Sequence, residues 1–268
     1  MATKPRPELR ERIDALLDAF IKDFYQTVPY AQHQRNAAEI NLDYYKRHNI
    51  ETILRLRRKR TIDALAIKYF TKVDPVQAKA WAHYTDDEML HDRLFAADLA
   101  KVGVTKEEIY STEPLLATKL LTGYLQYGME FEDSPLALIT SVYFVEYTTT
   151  RTQPEWLDNL EKVLGRDEVK GARAHVNTDL DDDHDDFVWR VLTSLITTEE
   201  DERAVERHLH HIFWLWKLYF VELHQRTVLG AKDEQIPCRP PPTPEPGRWR
   251  AEPAGKPGPW RCGPCPGP

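Results

Sequence analysis

The sequence predicts an all-α protein, and three observations support this fold class. Apolar residues recur at i, i+3, i+4 and i+7 over most of residues 7–230, which is the spacing of amphipathic helices. The alternation of apolar and polar residues that is typical of strands is nearly absent. Short connections with helix-start signals, such as Asp74-Pro75 and Ser134-Pro135, separate the periodic stretches and favour a helical bundle.

The predicted helices follow one another in chain order. The first is a strongly amphipathic segment that contains Ile13, Leu17 and Phe20. Further helices are expected at about 34–48, 50–72, 75–102, 113–131, 134–150, 154–164, 166–196 and 198–229. A capping-box sequence at 105–108 predicts one additional short helix, and Gly103 is expected to end the helix before it.

Composition divides the chain into two predicted parts, a helical domain at 1–230 and a tail at 231–268. The tail is rich in Pro and Gly and is predicted to be disordered and of minor functional importance. It also holds all three cysteines, Cys238, Cys262 and Cys265, although the CxxC pair lacks the folded context or second ligand pair that a redox or zinc site needs. The helical domain therefore has no disulfide and no Cys-ligated cluster.

Charge and hydropathy narrow the classes of partner. The net charge of −7 disfavours nucleic acid or an anionic membrane as the main partner. No apolar run reaches the roughly 20 residues of a membrane span, and the charged start is unlike a signal peptide, so a cytoplasmic protein is expected. The basic stretch formed by Arg55, Arg57, Arg58, Lys59 and Arg60 is predicted to be a solvated helix face.

The first candidate site is Glu88-x-x-His91. Three residues apart on a helix, these side chains lie on one face, and this is the spacing by which one helix supplies a carboxylate and an imidazole to a pair of metals. Taken alone, the pair would more often be an ordinary surface contact.

The second candidate is Glu146, which stands in the apolar segment 134–147. A helix that is apolar on most sides is largely buried, and an ionised Glu in such a place needs a partner. That partner could be a metal ion, an arginine or tyrosine hydroxyls.

The third candidate is the acidic segment 175–186. At about 100° per residue, Asp179 and Asp182 fall within about 40° of His175 and form a stripe two turns long. Such a run is usually solvated, but Asp is a poor helix former and like charges at this spacing repel. A bound divalent cation would offset that repulsion.

Two histidines and four carboxylates form a ligand set that suits iron or manganese, and the ligand types do not choose between them. A pair of Fe(II) ions in such a carboxylate-rich field can react with O2 and attack an unactivated C–H bond. The sequence therefore predicts a metal-dependent oxidase.

In order and spacing, these residues resemble the ligands of the haem-oxygenase-like di-metal oxidases. The resemblance covers about residues 8–230 and implies a haem-oxygenase-like helical bundle that holds two metal ions, Fe(II) or Mn, instead of haem. By this resemblance, the metal ligands would be Glu88, His91, Glu146, His175, Asp179 and Asp182. Many members have a histidine at the position of Asp182, which leaves His184 as a second candidate for that ligand.

The resemblance also implies O2 as co-substrate, an external electron donor, a small amino acid as substrate, and no organic cofactor. Members desaturate, cleave, N-oxygenate or cyclise their substrates. The most specific expectation is an azetidine-forming oxidase of a branched aliphatic amino acid in antibiotic biosynthesis. Substrate-binding residues are not predicted, and a homodimer is left open.

Three other classes of protein are alternatives to the oxidase. An all-α metal-dependent phosphohydrolase would use His91-Asp92, a dipeptide that recurs at 184–185. A non-catalytic bundle would keep the fold and only bind a ligand. A ferritin-like di-iron bundle would need two Glu-x-x-His motifs, whereas only one is found.

Overall fold

The computed structural model describes the backbone of residues 7–181 and 184–231, and the side chains of residues 8–177 and 185–231. Within this part the chain is helical and contains no strand, as predicted. The helices are α1 (Pro7–Thr27), α2 (Leu42–Val73), α3 (Pro75–Glu88), α4 (His91–Lys101), α5 (Lys106–Ser111), α6 (Leu116–Glu130), α7 (Leu136–Leu164), α8 (Lys170–Asp181), α9 (His184–Leu195) and α10 (Glu199–Thr227). Short 3-10 turns lie at Ala31–Arg35, Ala37–Glu39 and Asp167–Val169.

The centre of the bundle is α7, whose first half is buried on nearly all sides. It packs against α6, α8, α9 and α10, while α2 packs against α3, α4, α6 and α10. The main core includes Trp81, Leu138, Tyr143 and Leu192, which are almost wholly shielded from solvent. None of the described helices is both long and apolar enough to cross a membrane.

Several predicted helix starts are confirmed by side-chain caps. Asp74 accepts hydrogen bonds from the backbone N–H groups of Val76 and Gln77, and Thr105 accepts one from Glu108. Thr198 and Asp201 form a reciprocal capping box at the start of α10. These caps satisfy N–H groups that have no partner within the helix.

Two predicted interruptions are wrong. The chain forms one helix, α2, where two were expected at 34–48 and 50–72, and residues 31–39 form 3-10 turns instead. The helix α7 likewise continues through Pro154, where a break was expected. Proline removes one backbone hydrogen bond from a helix, and the packing of α7 on four neighbours outweighs that local loss.

Two further predicted helices differ from the structure. The helix expected at 75–102 stops at Glu88, and a new one begins at His91, because Leu90 leaves the helical region with φ −117° and ψ 8°. The helix expected at 166–196 begins instead with a 3-10 turn at Asp167–Val169 and continues as α8 and then α9, and residues 182–183, between α8 and α9, lie outside the described part. The predicted tail lies outside it as well, apart from Ala231.

The buried His33 makes the fold sensitive to acid. Its side chain is fully buried, and its ring stacks on Tyr30 with 4.1 Å between the ring centroids. Burial lowers the pKa of His33 from 6.5 to about 4, although the backbone contact with Tyr30 opposes this shift. Between pH 6.5 and about 4, the imidazole of His33 is protonated in the unfolded chain but stays neutral in the folded one. Protonation therefore stabilises the unfolded state in this range. The contribution of His33 to stability is complete above pH 6.5 and is lost as the pH falls towards 4.

We therefore expect the free energy of unfolding to decrease on acidification, with His33 contributing about 1.4 kcal/mol per pH unit in that window. Urea titrations at several pH values measure this slope. His33→Gln should show a shallower slope than the wild type, whereas His210→Gln, at an exposed position of α10, should keep the wild-type slope. Equal slopes for wild type and His33→Gln would contradict the assignment.

Candidate metal centre

Three of the six predicted ligands meet in the structure. Each of Glu88, His91 and His175 offers a ligand atom, and these atoms all lie within 4.8 Å of one another. Glu88 is the last residue of α3, His91 is the first residue of α4, and His175 lies in the middle of α8. Residues from three helices thus form a cluster that could hold a metal ion.

The contact between Glu88 and His91 is unusual for a buried pair. Nδ1 of His91 lies 3.0 Å from Oε1 of Glu88, yet neither atom makes a hydrogen bond of normal angle with any described residue. Buried polar atoms are nearly always hydrogen-bonded, so an unsatisfied pair requires an explanation. A cation placed between the two atoms would satisfy both of them.

Electrostatics keep the carboxylate of Glu88 ionised. Burial favours the neutral acid, but the contact with His91 and the charges of Lys59, His91 and His175 outweigh burial and lower the pKa of Glu88 to about 2. The carboxylate is therefore in the charged form that binds a metal. Glu88 itself is 9% exposed, so bulk water does not compete freely for this position.

The imidazoles of His91 and His175 are held together by a close approach of α4 and α8. Their ring centroids are 4.4 Å apart, with 57° between the ring planes. Four residues before His175, Gly171 lies so close to Leu94 that an added Cβ would come within 2.7 Å of the Leu94 carbonyl carbon. Only a glycine allows two helices to approach at this distance.

A buried carboxylate locks the same two helices. Asp98 of α4 accepts hydrogen bonds from the backbone N–H groups of Gly171 at 2.9 Å and Ala172 at 2.8 Å. These donors belong to the first turn of α8 and would otherwise lack partners. Asp98 therefore caps α8 from another helix and fixes the position of His175.

The predicted ligand Glu146 is buried, as expected, and 5% exposed. The hydroxyl of Tyr84 donates a 2.6 Å hydrogen bond to Oε1 of Glu146, so a tyrosine is one of the partners of this carboxylate. Burial, followed by the charge of Glu146, raises the pKa of Tyr84 well above its ordinary value, which keeps this tyrosine a donor. Glu146 is not in the three-residue cluster, but it lines the same cavity as Glu88 and His175.

The side chains of two predicted ligands, Asp179 and Asp182, lie outside the described part of the structure. The backbone of Asp179 belongs to α8, one turn after His175, but its side chain is outside the described part. Asp182 lies wholly outside the described residues, as does the side chain of His184. The choice between Asp182 and His184 as the last ligand stays a prediction.

A cavity of about 210 Å³ adjoins the cluster. The helices α2, α3, α4, α6, α7, α8 and α10 contribute to its wall. Much of this wall is apolar, with Leu125, Leu138 and Val142 among its residues, whereas Glu88 and Glu146 are carboxylates. The volume is below the range of about 300–1,000 Å³ typical of pockets for drug-sized molecules, which suits a small ligand.

The prediction that the basic residues of α2 form a solvated face is wrong for three of the five. Arg57 and Arg58 are exposed as predicted, but Arg55, Lys59 and Arg60 are half-buried. Arg55 and Lys59 line the cavity, and the cationic Nζ of Lys59 lies 4.8 Å from the ring centroid of Tyr84. Sequence reasoning missed these residues because a run of charges carries no signal of its tertiary partners.

The rival His91-Asp92 arrangement does not join the cluster. Asp92 is buried, but its carboxylate is paired with Arg60 of α2. In the second His-Asp pair, Oδ2 of Asp185 lies 3.6 Å from a guanidinium nitrogen of Arg10 in α1. Within the described residues, neither aspartate is oriented as a partner of His91 in a metal site.

Comparison with solved structures confirms the predicted fold. The chain is similar to a domain of unknown function with a heme oxygenase-like fold from Shewanella denitrificans OS217, with a TM-score of 0.70 and 18% identity, over 83% of this chain and 93% of that one. It is also similar to a TenA homologue from Pseudomonas syringae pv. tomato DC3000, with a TM-score of 0.62 and 12% identity, over 78% and 92% of the respective chains. The fold is therefore all-helical and haem-oxygenase-like, and likeness at this level of identity shows the fold alone. No protein-family model matches the sequence, and no curated protein matches it.

Proposed function

We propose that this protein is a metal-dependent oxidase that uses O2 to functionalise an unactivated C–H bond of a small aliphatic amino acid. The proposed cofactor is a pair of Fe(II) ions, with manganese as the alternative, and an external donor supplies electrons. The product would arise by desaturation, cleavage or cyclisation, and azetidine formation is the most specific version. The proposed ligands are Glu88, His91, Glu146, His175, Asp179 and Asp182.

The observation that carries this proposal is the cluster of Glu88, His91 and His175 beside a largely apolar cavity. A carboxylate and two imidazoles are donors that iron and manganese accept. Nδ1 of His91 and Oε1 of Glu88 face each other at 3.0 Å without a proper hydrogen bond, which is the arrangement expected of ligands that share a cation. The second carboxylate on the cavity wall, Glu146, could complete a site for a second ion.

The residues of the chain would hold the substrate and exclude water. When bound, the metal pair would supply the activation of O2 and the removal of hydrogen from carbon. The apolar side chains Leu125, Leu138 and Val142 would surround the hydrocarbon part of the substrate. Tyr84 would keep Glu146 oriented through its 2.6 Å hydrogen bond, in the way that outer residues fix metal ligands in other sites.

Oxygen consumption tests this function. The protein is loaded anaerobically with Fe(II), mixed with L-isoleucine, L-valine or L-leucine, and then exposed to O2 while uptake is recorded. We expect at least one amino acid to accelerate O2 uptake and to be converted, as judged by mass spectrometry. Turnover of p-nitrophenyl phosphate without O2 uptake would favour the phosphohydrolase and contradict the proposal.

A matched pair of variants on α7 makes the test specific. Glu146→Ala should abolish the substrate-dependent uptake, because it removes a carboxylate from the cavity. Glu155→Ala, which lies on the same helix but is exposed and pairs with Arg35 at 3.3 Å, should leave the uptake unchanged. Loss of activity in both variants would indicate a general effect on the helix rather than a metal ligand.

A further inference from the structure

The three half-buried basic residues of α2 are Arg55, Lys59 and Arg60, and among the described side chains only Arg55 lacks a counter-charge. Nζ of Lys59 lies 2.7 Å from a carboxylate oxygen of Asp63, and Arg60 pairs with Asp92. Among the side chains that the structure describes, no carboxylate forms an ion pair with Arg55. The nearest acid along the helix, Glu51, is engaged through Oε1 by Arg47 at 2.7 Å and by the backbone N–H of Leu115 at 3.1 Å, while its Oε2 has no hydrogen-bond partner.

The guanidinium of Arg55 is fixed in place, but its hydrogen-bonding capacity is not used up. Nη2 donates a 2.9 Å hydrogen bond to Oγ1 of Thr52. Its central carbon lies 4.8 Å and 4.4 Å from the ring centroids of Trp216 and Tyr219, which hold the plane of the group. Nη1 is buried and has no hydrogen-bond partner. A buried donor atom without a partner is costly, and an anion beside Nη1 would satisfy it.

The cavity carries charges of opposite sign along its length. Arg55 precedes Lys59 by four residues, which is about 6 Å along the axis of α2, and Lys59 lies beside Tyr84 near the carboxylates. His48 also lines the cavity, and burial, followed by the charge of Arg55, lowers its pKa to about 3, so it stays neutral. Arg55 is thus a cation of the cavity wall that has no counter-ion among the described side chains, and Glu88 and Glu146 are anions on the same wall.

We propose that Arg55 binds the carboxylate of the substrate, so that the substrate is a small carboxylic acid whose hydrocarbon part extends from Arg55 towards Glu88 and Glu146. This inference rests on the proposed function, since it names the group by which the same site recognises its substrate. A planar guanidinium matches a carboxylate through two parallel hydrogen bonds. Because Lys59 is already paired with Asp63, the one remaining guanidinium suits a monoanion better than a phosphate ester.

A consequence for the reaction follows from this orientation. With the carboxylate held at Arg55, the carbons that face the proposed metal ligands are those remote from the carboxylate. Apolar side chains of the same cavity wall, including Leu56 and Val142, would surround these carbons. Attack would therefore fall on the side chain of an aliphatic amino acid and not on its carboxylate.

Binding to the metal-free protein tests the role of Arg55 independently of oxidase activity. The probes are hexanoate and hexanamide, which have the same length and differ in charge, together with L-isoleucine. By isothermal titration we expect hexanoate to bind at least about tenfold more tightly than hexanamide. Arg55→Gln should remove this preference, Arg55→Lys should retain part of it, and Arg57→Gln, at an exposed position that faces Tyr110, should not change it.

Equal binding of hexanoate and hexanamide to the wild type would overturn the inference. Wild-type affinity for hexanoate in a folded Arg55→Gln variant, checked by circular dichroism, would do the same, as would equally strong binding of inorganic phosphate. If Arg55→Gln fails to fold, the comparison of acid with amide in the wild type and Arg55→Lys still decides. Failure of the oxidase assay with intact carboxylate binding would reject the proposed function and leave the anion site standing.

Discussion

Replacing His91 with alanine is expected to lower the affinity for Fe(II) by about 100-fold or more. His91 contributes one imidazole nitrogen to a cluster whose ligand atoms lie within 4.8 Å of one another, and even the loss of an outer-shell partner commonly costs 10–100-fold in metal affinity. Anaerobic titration with Fe(II), followed by removal of loosely bound metal and elemental analysis, measures the effect. His175→Ala should behave in the same way.

The neighbouring helix provides a matched control for this prediction. Nδ1 of His83 lies 3.0 Å from Oδ2 of Asp87, the same separation as in the pair of His91 and Glu88, but His83 is exposed. His83→Ala should therefore leave iron binding unchanged. If all three histidine variants bind iron like the wild type, the cluster is not the metal site.

Replacing Gly171 with alanine is expected to damage both the fold and the metal centre. The new Cβ would lie 2.7 Å from the carbonyl carbon of Leu94 and closer still to its oxygen. These are backbone atoms that cannot rotate away, so α4 and α8 must separate. Overpacking of this kind costs about 1–3 kcal/mol or more, and the separation would draw His175 away from His91. Thermal unfolding should show a Tm lowered by several degrees, and iron affinity should fall with it.

A second glycine separates this effect from the ordinary cost of the substitution. Gly123 lies at an exposed position within α6, and an added Cβ there would meet nothing within 4 Å. Gly123→Ala should be neutral or should stabilise the protein by about 0.5–1 kcal/mol, because alanine favours the helix. A Gly171→Ala variant with wild-type Tm and wild-type iron affinity would show that the close approach does not support the site.

Much of the fold follows from the sequence because helical periodicity is a local signal. The stretch of α1 and the capping sequences at Thr105 and Thr198 are local patterns, and the structure forms helices where they predict them. The interruption at Met89 and Leu90 could not be predicted in this way, because both residues are good helix formers. It is nonetheless the feature that makes Glu88 end one helix and His91 begin the next.

The candidate site is predictable only in part, because sequence patterns report local structure and not contacts between distant helices. The spacing of Glu88, His91 and His175 predicts that they belong together, and the structure brings them together. The carboxylate of Asp98 that caps α8 lies 73 residues before Gly171, and no local pattern links the two. Arg55, Lys59 and Arg60 look alike in the sequence, and only their partners on other helices distinguish them.

Anomalous diffraction at the iron edge tests the central claim most directly. Crystals of the full chain would be soaked anaerobically with Fe(II), and difference maps would locate the bound metal. We expect two peaks, bounded by Glu88, His91, Glu146 and His175, with Asp179 and either Asp182 or His184 beside them. No peak at this cluster, or a single peak elsewhere, for example beside His208 and His211 where both rings contact the hydroxyl of Tyr124, would contradict the account.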